Sequence, residues 1–151
     1  MDLGALFFKF DGRINRSQFW IATLIFVVVY VALVAIGYLA GQGMVFQMVN
    51  GMLSIVIFIT MLAVGIKRLH DRNKSGWYML LFYVAPGILT VLGIALSMSA
   101  GTVATVLALA AIVIGVWGLI ELGFLRGSIG SNQYGADPNA PDVLTPPVRT
   151  H

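Results

Sequence analysis

Four uninterrupted apolar stretches divide the chain, at about residues 19–40, 44–66, 77–97 and 102–125, and the polar residues crowd into the segments between and beyond them. Each stretch approaches the ~20 residues that a helix needs to cross a hydrocarbon core. The apolar residues run on without alternation, which fits spanning helices and excludes the two-residue period of barrel strands. The pattern predicts an all-α integral membrane protein: a four-transmembrane-helix bundle over residues 1–138, with short outer hairpins and a polar cytoplasmic cap. Residues 139–151, with Pro141, Pro146 and Pro147, read as a flexible cytoplasmic tail.

Ahead of the first stretch, about residues 2–12 place Leu3, Phe7 and Phe10 at i, i+4 and i+7, with Leu6 and Phe8 alongside. That pattern predicts a short helix lying in the headgroup layer. The run from Phe19 to Ala40 is longer than the roughly 7–15 residues of a signal-peptide core, and further runs follow it, so it reads as a retained helix.

Charge placement sets the orientation. Lys9, Arg13 and Arg16 precede the first span, Lys67, Arg68, Arg72 and Lys74 lie between the second and third, and Arg126 and Arg149 follow the fourth. The two remaining connections hold no basic residue. Basic residues near span ends stay in the cytoplasm, which predicts a multi-pass protein of the bacterial inner membrane with both termini inside. Composition agrees, being 59% hydrophobic and 10% charged, far from the balance of a soluble domain. The absence of cysteine excludes disulfides, thiolate catalysis and a Cys-ligated metal.

Within the spans, polar residues are few. Asn50 and Ser54 lie one turn apart and suit helix–helix hydrogen bonding, while Pro86 predicts a kink where the Phe82 carbonyl loses its donor. Ala104, Ala108, Ala111, Gly115 and Gly118 form a seam for close helix approach, in the same chain or between copies. Glu121 is the only ionisable side chain inside a span, and Arg68 or Arg16 is its expected partner. Trp20 and Trp77 mark the membrane interface as anchors, and Tyr38 does so at the other end of the first span.

Three dense polar motifs lie on the predicted cytoplasmic side: FDGRINRSQFW at 10–20, KRLHDRNKSGW at 67–77 and GSIGSNQYGADP at 127–138. Gly12, Arg13, Arg16, Phe19 and Trp20 open the pattern. Arg68, Leu69, His70, Asp71, Ser75, Gly76 and Trp77 form its centre, and Gly130, Asn132, Tyr134, Gly135, Asp137 and Pro138 close it. In these words the chain resembles the YhaH-like bacterial inner-membrane proteins, the domain of unknown function 805. The resemblance spans nearly all the chain and implies a small four-span protein at the inner membrane. It implies no biochemical activity.

The side chains of these motifs suit two tasks. Arg13 with Arg16, and Arg68 with Arg72, fall at spacings that can share a helix face and offer guanidinium forks to phosphate or carboxylate. Asp71 is placed to pair with Arg68 or Arg13, Ser75 to cap the third span, and Asn132 and Asp137 to form turns with Gly130 and Gly135. Together with His70 and Arg72 these residues predict a polar cap that ties the segments together and takes up anionic lipid headgroups or a partner protein.

Chemistry has little to stand on. His70 beside Asp71 makes no dyad on a helix, and no nucleophile elbow, paired metal-binding histidines or phosphate loop is present. The reading is a non-enzymatic protein with no cofactor and no metal. Its partners are membrane lipids, another copy or another membrane protein; basic residues crowded against a bilayer do not suit nucleic acid. The alternative is a small oligomeric transporter or channel that uses Glu121 and the Pro86 kink.

Overall fold

A computed structural model describes residues 3–41 and 43–140. Asp2, Gln42 and residues 141–151, with Arg149 and the three tail prolines, lie outside the described residues. The described chain is helical throughout, with no strand beyond one isolated bridge between Asn132 and Gly135.

A short α1 covers Leu3–Phe8, α2 Arg16–Ala40 and α3 Met44–Asp71; α4 covers Ala85–Leu96 and α5 Gly101–Leu119. One π-turn, Leu80–Val84, leads into α4, and another, Ile120–Phe124, ends α5. Three of these helices are long and apolar enough to cross a membrane, with the 17-residue apolar run Leu80–Leu96 as a shorter fourth segment. Residues such as Val27, Val28, Val31, Ile55, Ile94 and Val113 are exposed on these helices, as expected of surfaces that face hydrocarbon.

Local chemistry sets the ends. Asn15 caps α2, accepting from the Gln18 amide at 2.9 Å while Gln18 Oε1 accepts from the Asn15 amide at 3.0 Å. At the close of α3 the Asn73 amide donates to His70 O and the Lys74 amide to Leu69 O, the paired bonds of a Schellman turn. Asn73 sits at φ 57°, a left-handed position that asparagine tolerates better than most residues. Pro86 is absorbed by the π-turn just before it, where Ala85 N donates to Leu80 O; its own carbonyl accepts from Thr90 Oγ1 at 2.8 Å.

The core sits at the basic end. Leu6, Ile14, Phe19, Ala22, Val64, Leu69, Met79, Phe82 and Leu122 pack together there. The buried residues of α3 all fall between Thr60 and Asp71. Farther away, α2 and α3 meet where Phe46 packs onto Gly37. The N-terminal segment differs from its predicted face: Leu6 is buried and Phe7 stacks edge-on against Phe26, while Leu3, Phe8 and Phe10 stay exposed. Lys67 explains the difference, because its Nζ donates to the Ala5 carbonyl at 2.7 Å and to that of Leu6, pinning α1 to α3.

The small-residue seam is filled from within the chain over part of its length. Gly93 of α4 approaches the Ala104 carbonyl and Ala108, and Phe82 packs over Gly118, whereas Gly115 faces open space. Ser54 bonds back to the Asn50 carbonyl of its own helix at 2.8 Å rather than across to a neighbour.

A methyl at Gly118 would stand 2.8 Å from Phe82 Cβ, so Gly118→Ala should cost about 1–3 kcal/mol through overpacking. Gly115→Ala, with nothing within 4 Å, should be neutral or stabilise by up to about 1 kcal/mol from helix propensity. Thermal unfolding of both variants in detergent checks the contrast, and equal midpoints would contradict this packing.

Candidate functional site

The last carbonyls of a helix have no amide partner within it, and they sit at the negative end of its dipole. The π-turn that ends α5 leaves such a row, and cationic or indole donors from elsewhere in the chain meet it. Arg68 Nε donates to Leu122 O at 2.7 Å and its Nη2 to Leu125 O at 2.5 Å. Trp20 Nε1 donates to Gly123 O at 3.0 Å, Arg16 Nη1 to Phe124 O at 3.3 Å and Arg72 Nη1 to Arg126 O at 3.0 Å. Gly123 is small for a reason: a Cβ there would stand 2.7 Å from the Trp20 ring.

Asp71 organises the next layer. One carboxylate oxygen accepts from Arg13 Nε at 3.2 Å and Nη2 at 3.0 Å, and the other accepts from Arg68 Nη1. Arg68 and Asp71 are fully buried, and the Arg13 side chain is 1% exposed. The remaining Arg13 donors reach Ser128 O at 2.7 Å, Gly130 O at 2.6 Å and Gly135 O at 3.3 Å. The backbone carbonyl of Asp71 accepts from the Ser128 amide at 2.7 Å and its hydroxyl at 3.0 Å. Gly127 lies so close to the Asp71 carboxylate that any side chain there would collide with it. Asp71 therefore meets both expected partners at once and locks the segments around residues 13, 68 and 128 to one another.

Glu121 is buried as well, yet its partners are not the expected ones. Its Oε1 accepts from Arg72 Nε at 2.7 Å and Lys74 Nζ at 2.5 Å. Arg68 is turned away by Asp71 and the carbonyls of Leu122 and Leu125, and Arg16 points to Phe124 O. The predicted face-sharing pairs also separate. Arg13 precedes the cap of α2 and turns inward while Arg16 stays exposed, and Arg72 lies beyond the end of α3 while Arg68 is buried inside.

The third motif folds over this core. Asn132 Nδ2 donates to His70 O and to Ser128 Oγ, both at 2.9 Å, and its Oδ1 accepts from the Tyr134 amide at 2.9 Å. Tyr134 then stacks on His70, with ring centroids 3.8 Å apart and planes 2° from parallel. His70 Nδ1 lies 3.3 Å from the Gly12 carbonyl, which joins the first motif to the other two. Gly130 and Gly135 both take positive φ, as their turn role requires. Asp137 accepts from the amides of Asn139 and Gly130, each at 2.9 Å, and these two bonds hold its carboxyl below the usual carboxylate range. A lowered native value means that this contribution is present above the ordinary carboxylate range and fades as pH falls through the lowered value. Ser75 Oγ lies 3.4 Å from the Trp77 amide, a weak cap, and the Trp77 ring is exposed.

A polar recess of about 570 Å³ remains between the start of α2 and the closing loop, lined by Arg16, Ser17, Arg126, Ser128, Asp137 and Asn139 among others. The structure thus brings Arg13, Arg68, His70, Asp71 and Asn132 into one bonded network. Arg16 and Asp137 lie on its open side, and Trp77 stands apart. Sequence reasoning missed Lys67, Lys74, Gly123, Gly127, Ser128 and the cap made by Asn15. Only the density of small residues in the third motif hinted at the close contacts.

Comparison with known proteins places the chain in a family. The model of the family described as "Protein of unknown function (DUF805)" matches residues 7–136, from α1 into the third motif, stopping just before Asp137. "Inner membrane protein YhaI" of Escherichia coli (strain K12) is 29% identical over 129 residues, 85% of each chain. "Uncharacterized protein YiiR" of the same organism is 31% identical over 134 residues, 86% of each chain. No solved structure matches.

Removing the Asp71 carboxylate strands two buried guanidinium groups. Asp71→Ala should destabilise the fold by about 3–5 kcal/mol, a drop of roughly 6–20 °C in midpoint. Lys9→Ala, at an exposed site, is the control; a midpoint for Asp71→Ala within a degree of it would remove the network from the account.

Proposed function

We propose, for a chain that belongs to the family described as "Protein of unknown function (DUF805)", a non-enzymatic role at the inner membrane. In this reading the four apolar segments each cross the bilayer, the basic end faces the cytoplasm, and that end forms a closed polar cap whose outer surface engages anionic lipid headgroups. The printed name of the relative YhaI supports the inner-membrane address, and the described helices support the all-helical architecture; the crossings, the orientation and the lipid contact are the proposal.

One observation carries it: the cap is built from cations that are mostly consumed inside. Arg13 and Arg68 spend their donors on Asp71 and on backbone carbonyls, and Arg72 and Lys74 share Glu121. Such a network fixes how the helices emerge, and it leaves Arg16, Arg126 and Lys9 on the surface. Near an anionic leaflet each exposed cation adds about 1 kcal/mol of attraction. Glu121 serves the cap here, held by two cations, and the kink expected at Pro86 coincides with the π-turn before it; each of the two features on which transport would rest has a structural role in this reading.

Two measurements test the proposal. In nanodiscs the thermal midpoint should be higher with phosphatidylglycerol than with phosphatidylcholine alone, and the gap should close in high salt. On this cysteine-free chain, an impermeant maleimide should label Ser99→Cys on intact cells and Lys9→Cys only after permeabilisation. Equal midpoints in both lipids would remove the headgroup role, and labelling of Lys9→Cys on intact cells would reverse the orientation.

A further inference from the structure

We propose that the recess between the start of α2 and the 126–140 loop binds one monoanionic phospholipid, its phosphate held between Arg16 and Arg126. The proposal rests on the cap reading above and names the ligand that the cap would take.

The choice of residues follows from accounting for the cations. Arg13 and Arg68 have their donors committed, and Arg72 and Lys74 are both held by one carboxylate, that of Glu121. Arg16 makes one long bond, 3.3 Å to the Phe124 carbonyl, and the Arg126 guanidinium makes no hydrogen bond or ion pair among the described residues. Both line the same recess, and the bond to Phe124 brings Arg16 to the root of the segment that carries Arg126. Two guanidinium forks facing one polar space suit an oxyanion with several acceptor oxygens. The N-terminus of α2 does not carry the site, because Asn15 already takes the Gln18 amide.

Charge and shape narrow the ligand. Asp71 is already shared by Arg13 and Arg68, so the groups left facing the recess are Arg16, Arg126 and Asp137, a single net positive charge that favours a phosphodiester over a doubly charged monoester. Asp137 and Asn139 at the wall offer acceptors to headgroup hydroxyls, as on a glycerol headgroup. Exposed apolar side chains stand close by: Ile129 is part of the lining, and Phe124 and Leu125 directly precede Arg126. A free phosphate would leave these unused, whereas a lipid would cover them with its glycerol and acyl chains.

Native mass spectrometry of the purified full chain in detergent tests the site, with phosphatidylglycerol, phosphatidylcholine and soluble glycerol phosphate as separate titrants. The expected result is one phosphatidylglycerol per chain, retained well above phosphatidylcholine and not displaced by equimolar glycerol phosphate. Replacing both arginines, Arg16→Gln with Arg126→Gln, should weaken retention about 30-fold, from about 1 kcal/mol per cation. Ser99→Ala, exposed and far from the recess, should leave it unchanged. Arg126→Gln alone, which removes no bond within the described chain, should still lose several-fold, so a folding defect at Arg16 cannot hide the answer. Equal retention by the double variant, equal binding of phosphatidylcholine, or displacement by glycerol phosphate would each overturn the site. If anionic nanodiscs still stabilise the double variant as they do the wild type, this site fails while the cap reading stands.

Discussion

The structure depends on how the carbonyls at the end of α5 are satisfied. A helix that stops at the edge of a hydrocarbon layer leaves acceptors that water reaches poorly, and each one left bare costs free energy. Here three arginines and a tryptophan, from the start of α2, the end of α3 and the turn beyond it, donate to the five carbonyls from Leu122 to Arg126. The same bonds that satisfy the last turns of one helix therefore fix two others beside it. Because α4 is packed along α5 through Gly93, Ala104 and Ala108, its position follows too.

Arginine is the residue that this arrangement needs. Its planar fork offers five donors in fixed directions and stays charged when buried, so Arg68 can bond two carbonyls and a carboxylate at once. A lysine would bring charge without the directions. Two guanidinium groups share the single Asp71 carboxylate, and the excess positive charge is balanced by carbonyl dipoles rather than by a second acid. Forming such a buried cluster gains little net stability, because desolvation offsets the attraction; breaking it is expensive. Its principal effect is on geometry: few other arrangements of these segments satisfy every partner.

Much of the architecture was legible in the sequence. Apolar runs of the right length located the helices to within a few residues, and Asp71 with Arg13 or Arg68 followed from the rarity of acids near so many arginines. The glycines at 130 and 135 were readable because a loop closing on itself needs positive φ. Partner choice for Glu121 was not readable. Arg72 and Lys74 reach it only because the Schellman turn at Asn73 folds the chain back after α3, and hydrophobic periodicity carries no information on that turn. Gly123 and Gly127 were opaque for a similar reason, since what excludes a side chain there is a ring and a carboxylate from about 103 and 56 positions away in the chain.

The concentration of buried residues of α3 between Thr60 and Asp71 has a mechanical consequence. Toward the opposite face most side chains of α2 and α3 are exposed and Phe46 packs against Gly37, which leaves those portions freer to change tilt than the part held by the arginine network. Bilayers differ in thickness by several ångströms, and a spanning helix adapts by leaning. In the placement proposed above, such a protein, clamped at one leaflet and compliant at the other, would follow its host membrane through changes in lipid composition, while the surface on the clamped side keeps one shape.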